Sequence, residues 1–367
     1  MMARLEIKSI SKTFGTIRPA DRVSLTVEPG EIVAIFGPSG GGKTVLLRMI
    51  AGMFEPDEGD ILVGDRSIVG AAPERRGIGM AFQNFALFPH MTARDNIASG
   101  LRAKAGGNDA ASRVEAISRL LKIEHVLGHV PRELSNGQKQ RTALARALIG
   151  NPDVLLLDDP LRNVDAKLRY EMRLELPGLL RRGSAAVLYV TQDYREAMAI
   201  ADRIAVFLDG RLEQVANPTE VYESPASVAV ARLFGDPSIN LTEVVPFVEH
   251  GVLSATISDA RVHLGTADAQ APDRACWLGI RPEDLSISSS GGEDAIPARI
   301  LAVTPVHEKA VALVRLKDGT EWLAAVGPDA LQSADDTVHV RFLPEAVLLF
   351  DRETGLRISL SHRRQAA

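Results

Sequence analysis

The sequence predicts an α/β domain that is followed by a small all-β domain. Up to residue 236, apolar runs typical of buried strands alternate with segments of helical periodicity. After Pro237 the helical segments stop, and short β-like runs separated by turn residues take their place. We therefore expect an α/β domain at residues 1–236 and a β-rich domain at residues 237–367.

Apolar runs in the first domain are candidates for strands of a parallel sheet, because a strand covered on both faces loses its polar alternation. They are Ile32–Phe36, 79–82, Val154–Asp158, Ala186–Thr191 and Arg203–Leu208. Residues 111–122 and 138–149 have helical patterns between these runs. Residues 1–10 alternate polar and apolar side chains, which indicates a strand and not a signal peptide.

Short β-like runs also follow the expected boundary. They lie at 253–257, Cys276–Ile280, 298–303, 310–316, 322–326 and 338–342. Asp318 and Gly319 separate two of these runs, and this dipeptide is a strong signal for a hairpin turn. The pattern indicates a small barrel-like domain of the OB type.

The composition argues against several classes of protein. The net charge of −5 is unlike that of a general nucleic-acid binder, which is more often basic. Cys276 is the only cysteine, so we expect no internal disulfide. We find no apolar run of about 18 residues, so a membrane role would have to pass through a partner protein.

A glycine-rich loop matches the pattern G-x-x-x-x-G-K-[ST] of phosphate-binding loops. This phosphate loop consists of Gly37, Pro38, Ser39, Gly40, Gly41, Gly42, Lys43 and Thr44. It follows a predicted strand and precedes a helical run at 45–51, as anion binding at a helix N-terminus requires. We expect Lys43 to contact the β- and γ-phosphates of ATP and Thr44 to hold Mg²⁺. The alternative is a glycine-rich turn without function, and the flanking elements argue against it.

Two carboxylates end the apolar strand Val154–Asp158. Asp158 and the next residue, Asp159, are placed where a carboxylate can hold the Mg²⁺ shell beside a phosphate loop. Taken alone, an acid at a strand end would more often cap the following turn. The phosphate loop makes the metal-binding interpretation the better one.

Between the loop and the acidic strand lies Leu-Ser-Asn-Gly-Gln at 134–138. It resembles the signature sequence of ATP-binding-cassette (ABC) ATPases, in which Ser135, Asn136, Gly137 and Gln138 would form a second phosphate site. Ser135 can also cap a helix that starts near Gln138. The order phosphate loop, signature and acidic strand is diagnostic of that family.

Two further residues match motifs of the same family. Gln83, in a stretch at 79–92 that looks like the family's glutamine loop, would reach the Mg²⁺ ion and its water. Phe14 matches the aromatic residue that stacks on adenine. Without the other motifs, a phenylalanine at this position would more often be a core residue.

The resemblance implies an arrangement of subunits. In ABC ATPases two domains pair head to tail, and each signature covers the γ-phosphate held by the opposite subunit. The family also implies a helical subdomain, at about 84–150 in this chain. Docking to membrane subunits is expected at 85–97, where Phe88 and Met91 read as exposed apolar residues. The alternative is that these two residues belong to the core.

The resemblance extends into the β-rich domain. Residues 279–285, Gly-Ile-Arg-Pro-Glu-Asp-Leu, and residues 344–356 look like the regulatory β domain of maltose-type importer ATPases. This branch serves importers of sugars, polyols, glycerol and glycerol phosphate. It implies two membrane permease subunits, an external solute-binding protein, a peripheral location on the cytoplasmic face of the plasma (inner) membrane and no nucleic acid partner.

The sequence departs from the family pattern at five positions. Asp159 replaces the Glu that polarises the attacking water, Gln192 replaces a His that contacts the γ-phosphate, and Val45 replaces a hydroxyl residue. Asn136 replaces a signature glycine and Arg162 replaces a serine of the loop that crosses the dimer interface. The shorter Asp side chain withdraws the carboxylate by about 1.5 Å, and such misplacement can cost about a hundredfold in rate.

These departures predict a catalytic set, Lys43, Gln83, Asp159 and Gln192, that binds ATP firmly but hydrolyses it slowly. Neutral drift at tolerant sites is the alternative. A weak site favours pairing with a second, conventional ATPase subunit. A regulatory subunit that binds nucleotide without hydrolysing it, and a soluble ABC ATPase that acts on nucleic acid, are the other functions to weigh.

Overall fold

A computed structural model describes residues 3–101, 107–266, 274–292, 294–306, 309–327 and 336–359 of the chain. It divides into two units, Met1–Val221 and Tyr222–Ala367. The predicted domain boundary at residue 236 lies within the second unit. None of the helices in the described ranges combines the length and the apolar character that crossing a membrane requires.

The first unit combines two sheets with helices. Its strands are β1 (Leu5–Phe14), β2 (Ile17–Val27), β3 (Ile32–Phe36), β4 (Glu58–Val63), β5 (Arg66–Ser67), β6 (Ile78–Ala81), β7 (Val154–Asp158), β8 (Ala186–Thr191), β9 (Arg203–Leu208) and β10 (Arg211–Ala216). The helices of the chain are α1 (Lys43–Ala51), α2 (Ala93–Ala98), α3 (Gly107–Leu120), α4 (Asn136–Ile149), α5 (Ala166–Arg182), α6 (Tyr194–Ile200), α7 (Pro218–Glu223) and α8 (Val228–Leu233).

The central sheet has the strand order β10-β9-β3-β8-β7-β6. Strands β9, β3, β8, β7 and β6 run parallel, and β10 adds an antiparallel edge. Every residue of β3, β7 and β8 is buried, as expected of strands covered on both faces. The prediction of an α/β fold with a buried parallel sheet is confirmed.

An antiparallel sheet of order β2-β1-β4-β5 completes the first unit. The N-terminal strand was predicted, but it extends to Phe14 and pairs with β2, which was not predicted. Pro19 and the adjacent charges Asp21 and Arg22 interrupt the alternation of β2, and Arg22 adopts a left-handed conformation with φ 50°. Because of these features, the sequence of β2 lacks the period-two alternation by which a strand is recognised.

The second unit is almost entirely β. Its strands are β11 (Asn240–Val244), β12 (Phe247–Glu249), β13 (Val252–Ile257), β14 (Ala260–Thr266), β15 (Cys276–Ile280), β16 (Ser286–Ser288), β17 (Ile296–Val306), β18 (Lys309–Leu316), β19 (Glu321–Val326), β20 (Thr337–Arg341), β21 (Leu348–Asp351) and β22 (Arg357–Ile358). They form sheets of order β11-β15-β21-β22, β12-β13-β14 and β16-β20-β17-β18-β19. The predicted hairpin at Asp318 and Gly319 joins β18 to β19, with Gly319 at φ 91°.

Several predicted element boundaries were wrong by a few residues. The helix predicted at 111–122 begins at Gly107 and ends at Leu120, before Lys122, which has a left-handed φ of 54°. The helix predicted at 138–149 begins at Asn136, because Ser135 caps it. The helical run after the phosphate loop begins at Lys43, two residues before the predicted start.

Arg76 anchors the far end of α1. Its side chain is completely buried and donates hydrogen bonds to the carbonyls of Met49 (2.9 Å) and Ile50 (3.2 Å), in the last turn of that helix. Glu55 accepts a further hydrogen bond at 2.6 Å, which offsets part of the cost of burying the charge. The last carbonyls of a helix have no hydrogen-bond donor within the helix, so Arg76 supplies donors from outside it.

Replacing Arg76 should destabilise the first unit. We expect Arg76→Met to lower the free energy of unfolding by about 2–4 kcal/mol, because the carbonyls of the last helical turn and the Glu55 carboxylate lose the hydrogen bonds that Arg76 donates. Urea unfolding followed by circular dichroism measures this change. The exposed neighbour Arg75 is the control, and Arg75→Met should change the free energy by less than about 0.5 kcal/mol. Equal effects of the two substitutions would contradict the prediction.

Candidate functional site

The phosphate loop leaves β3 and runs directly into α1. Gly40 and Gly42 have φ values of 80° and 99°, which side-chain-bearing residues adopt only rarely. Gly37 passes so close to the chain that an added Cβ would lie 2.1 Å from the Phe207 carbonyl oxygen. Pro38 and Ser39 are exposed. The glycines therefore permit the backbone turns and the close approach that this loop requires, and the loop is exposed to solvent at 38–40, before the N-terminus of α1.

Lys43 is the first residue of α1 and is only 4% exposed. Its Nζ donates hydrogen bonds to the carbonyls of Gly37 at 2.9 Å and Pro38 at 2.6 Å. Burial lowers the pKa of the lysine, and attraction to Asp159 and Asp158 opposes that shift. The ammonium thus lies close to both carboxylates that the sequence singled out.

Thr44 and Asp158 are brought together by the fold, although 114 residues separate them. The Thr44 hydroxyl donates a hydrogen bond to Asp158 Oδ1 at 3.2 Å. Asp158 is buried, which raises its pKa, while the hydrogen bond from Thr44 and the charges of Arg48 and Lys43 act in the opposite direction. The pair offers a hydroxyl and a carboxylate oxygen, which are ligands that Mg²⁺ accepts.

Gln83, Asp159 and Gln192 lie at the carboxyl edge of the parallel sheet. Asp159 directly follows β7, Gln192 directly follows β8, and Gln83 lies two residues beyond the end of β6. Gln83 is half-buried and Gln192 is exposed. These three strands are neighbours in the sheet, so the predicted catalytic residues share one edge with Asp158.

Asp159 adopts an unusual backbone conformation with φ 50° and is 7% exposed. Its backbone N–H donates to the Val190 carbonyl at 2.9 Å, which fixes the residue against β8. Burial raises the pKa of its carboxyl group, and Arg162 opposes that shift. Arg162 Nη1 lies 3.6 Å from Asp159 Oδ2. This pairing was not predicted, although opposite charges three residues apart are a signal for it.

A buried polar network, also not predicted, holds the turn that carries Gln192. Arg173 of α5 donates to Asp193 at 2.5 Å, and Asp193 Oδ1 accepts from the backbone N–H of Arg195 in α6. Glu196 is 2% exposed and accepts hydrogen bonds from the hydroxyl groups of Tyr189 (2.9 Å) and Thr191 (3.0 Å). Several hydrogen bonds between largely buried side chains of this kind rigidify the segment that they surround.

The signature residues lie at the N-terminus of α4. Ser135 is the N-cap, and its hydroxyl accepts a hydrogen bond from the Gln138 N–H at 3.3 Å. The Gln138 side-chain oxygen Oε1 in turn accepts a hydrogen bond from the Ser135 N–H at 2.9 Å, which completes a capping box. Asn136 is exposed and Gly137 is half-buried. No hydrogen bond between described residues joins this group to the phosphate loop, so the chain presents it as a separate surface.

Two further predicted residues lie outside the phosphate loop, Phe14 in β1 and Val45 in α1. Phe14 ends β1 and is 41% exposed, with its ring edge-to-face against Phe54 at a centroid distance of 5.5 Å. Lys12 Nζ lies 5.5 Å from the centre of the Phe14 ring. Val45 is half-buried and packs against the core beneath α1. An exposed aromatic face at Phe14 is compatible with stacking on a base.

Known protein families match both parts of the chain. A family model described as "ABC transporter" matches residues 20–162, and one described as "TOBE domain" matches residues 278–350. The chain is 39% identical to the sn-glycerol-3-phosphate import ATP-binding protein UgpC of Yersinia pseudotuberculosis, over 97% of this chain and 99% of that protein. The protein of the same name from Escherichia coli (strain K12) is 38% identical, over 97% of this chain and 100% of that protein.

Solved structures agree with this assignment. The dimeric structure of a post-hydrolysis state of the ATP-binding cassette MJ0796, bound to ADP and Pi, superposes with a TM-score of 0.54 at 29% identity. It covers 58% of this chain and 98% of that chain. Family, full-length relatives and fold all lead to one conclusion. The chain belongs to the ABC transporter family, as an ATP-binding, ATP-hydrolysing subunit with a C-terminal TOBE domain.

Proposed function

We propose that this chain is the ATP-binding subunit of an ABC importer of glycerol phosphate or a related sugar, polyol or glycerol. The support is the group of full-length relatives named for sn-glycerol-3-phosphate import. The chain would act as a peripheral subunit on the cytoplasmic face of the plasma (inner) membrane. Two permease subunits would carry the solute, which an external solute-binding protein delivers.

The observation that carries the ATP-binding role is the contact between Thr44 and Asp158 beside Lys43. Thr44 and Asp158 would hold Mg²⁺, with Gln83 toward its water, and the ion would offset phosphate charge when bound. No group of three or more His, Cys, Asp or Glu residues suited to a metal occurs among the described residues. The Thr44 hydroxyl and the Asp158 carboxylate would therefore supply two oxygen ligands, and the nucleotide would supply most of the others. Phe14 would stack on the adenine.

The hydrolytic site of this chain is proposed to be weak. Asp159 is shorter than the Glu of the family, and Arg162 lies close enough to attract its carboxylate. Gln192 can donate a hydrogen bond to a phosphate but carries no charge. A carboxylate that is both short and paired is poorly placed to polarise a water molecule.

A weak site favours a heteromeric pair. In a pair with a conventional ATPase subunit, one site would combine this chain's phosphate loop with the partner's signature. The other site would combine the partner's catalytic residues with Ser135, Asn136, Gly137 and Gln138 of this chain, and it could still drive transport. The dimeric arrangement of the solved relative supports pairing in general. A regulatory subunit that binds ATP without hydrolysing it is the alternative.

The surface near Gln83 is the proposed docking segment for the permeases, residues 85–97. Phe88 is 43% exposed, whereas Met91 is half-buried. A cavity of 530 Å³ opens beside the segment and is lined by Met80, Phe82 and Phe88, among other residues. An open cavity of this size, with both apolar and charged side chains in its wall, suits a protruding side chain or helix of a partner.

Removal of the Thr44 hydroxyl should weaken nucleotide binding only when Mg²⁺ is present. We expect Thr44→Val to reduce the affinity for ATP by about tenfold with Mg²⁺, because the ion loses one ligand. Isothermal titration calorimetry with ATP, in Mg²⁺ and in EDTA, measures the effect. Thr256→Val, at an exposed position of β13, is the control and should change neither value. Equal affinities of the Thr44 variant and the natural protein in Mg²⁺ would contradict the assignment.

Restoring the family residues should raise turnover. We expect the double change Asp159→Glu and Gln192→His to raise kcat by about tenfold or more, because the carboxylate advances toward the water and a charge can form near the phosphate. KM for ATP should change little, since the phosphate loop is untouched. Phosphate release by the purified chain, alone and with its partner subunit, measures this.

The matched control for that experiment is Asp153→Glu, at the opposite end of β7. It introduces the same extra methylene away from the site and should leave kcat unchanged. Rapid ATP hydrolysis by the unmodified chain alone would contradict the proposal of a weak site. A double variant that binds ATP firmly and still hydrolyses none would favour the regulatory alternative.

Truncating Phe88 should impair assembly and not nucleotide binding. We expect Phe88→Ser to reduce association with the permease subunits by about tenfold, because an exposed aromatic residue beside a cavity is a typical hot spot. Co-purification from membranes measures association, and ATP titration checks the nucleotide site. Leu174→Ser on α5, where the side chain is 68% exposed, is the control. Undiminished association of the Phe88 variant would refute this docking surface.

A further inference from the structure

The chain after Gln83 turns through two consecutive residues in the left-handed region. Phe85 has φ 66° and Ala86 has φ 47°, and neither is a glycine. Such residues are uncommon, and they persist only where the surroundings hold them in place. One local hydrogen bond comes from the Phe85 N–H to the Phe82 carbonyl at 3.0 Å. The carbonyls of Phe85 and Ala86 themselves point to a partner from another element.

That partner is Arg146, on the signature helix α4. Its Nη1 donates to the Ala86 carbonyl at 2.7 Å and its Nη2 donates to the Phe85 carbonyl at 3.2 Å. The guanidinium also lies 5.6 Å from the centre of the Phe88 ring. One planar cation thus fixes both left-handed residues and the exposed aromatic residue that follows them.

The charge of Arg146 is directed entirely at this segment within the described part of the chain. Burial lowers the pKa of its guanidinium, and no carboxylate attraction opposes that shift. The carbonyl dipoles of Phe85 and Ala86 and the Phe88 ring therefore compensate for the partial desolvation of this half-buried cation. Loss of the cation would release the segment.

The other end of the same helix is the signature. Ser135 caps α4 and Arg146 lies in its last turn, so the two are about 16 Å apart along a continuous helix. A short continuous helix can transmit a displacement between its ends as one rigid element. A displacement at Ser135 must therefore be accompanied by a displacement at Arg146.

We propose that Arg146 is a positioning residue that ties the signature helix to the docking segment, so that nucleotide-dependent movement of one displaces the other. The inference rests on the proposed function, because it assigns residues 85–97 to permease docking. It adds a specific connection between two motifs that the sequence shows only as separate stretches. Arg146 itself would contact neither the nucleotide nor the solute.

Hydrogen–deuterium exchange tests the connection in the full chain paired with its partner ATPase subunit, both without and with the permease subunits. Exchange at 37–44 and at 84–91 is compared with and without ATP·Mg²⁺. In the natural chain we expect nucleotide to slow exchange at both segments by about tenfold. In Arg146→Gln the slowing should persist at 37–44 and disappear at 84–91. Arg146→Lys keeps the charge but has a single donor nitrogen, so it should give intermediate slowing of exchange at 84–91.

Arg113→Gln is the matched control, because Arg113 of α3 also donates to a carbonyl, that of Ile149 at 2.6 Å, without contacting the docking segment. It should behave as the natural chain at both segments. Persistent slowing at 84–91 in Arg146→Gln would overturn the proposal. Equal loss at 37–44 would also overturn it, since that result shows a general structural role.

The same data separate this inference from the docking assignment. If permease binding leaves exchange at 84–91 unchanged in the natural chain, the docking assignment fails. The comparison of nucleotide effects in the ATPase pair without permeases then still decides whether Arg146 links the two motifs. If docking protects 84–91 but Arg146→Gln changes nothing, the docking assignment stands and the link fails.

Discussion

The parallel register of β3, β8 and β7 is the constraint on which the site depends. Phe36 at the end of β3 is paired with Thr191, and Asp158 at the end of β7 is paired with Val190. Three loops therefore leave the sheet at one edge, within reach of the same ligand. A shift of one strand by a single residue would separate the Thr44 hydroxyl from the Asp158 carboxylate. Because all three strands are buried on both faces, their packing against helices resists such a shift.

Charge balance at this edge follows from the register. Lys43 is a buried cation close to two buried carboxylates, and its charge opposes the rise in pKa that burial causes in both of them. The cation attracts phosphate, whereas the carboxylates repel it unless a metal ion intervenes. This arrangement gives a physical reason for coupling nucleotide binding to Mg²⁺. Arg162 adds to the attraction that Lys43 exerts on Asp159, so that one lysine does not have to balance both buried carboxylates alone.

The sequence predicted most of the fold and the central part of the site. Buried parallel strands have a composition that can be recognised, and the phosphate loop has a spacing that follows from its chemistry. The position of Thr44 beside Asp158 was implied by the order of motifs. The structure added the contact distance.

The contacts that the sequence did not predict depend on backbone conformation and long-range placement. Asp159, Phe85 and Ala86 have positive φ values, which cannot be predicted from their residue types. Their contacts with Arg162 and Arg146 were not predicted from the sequence. The strand β2 was missed for a related reason, because Arg22 distorts its alternation. Sequence patterns report periodicity and spacing, whereas these contacts arise from irregular backbone, which periodicity cannot encode.

Two of the five departures from the family pattern, Asp159 and Gln192, affect residues expected to carry the chemistry, whereas several contacts that support the site are in place. Arg76 still anchors α1, the capping box at Ser135 is complete, and Arg146 still holds the segment beside the cavity. A subunit that had lost its role would be expected to accumulate changes in these supporting contacts as readily as at Asp159 and Gln192. A chain with intact nucleotide-binding and coupling geometry but an altered water-activating residue is better suited to work beside a fully active partner. The contrast between these two sets of residues within one subunit therefore favours the proposed heteromeric pair.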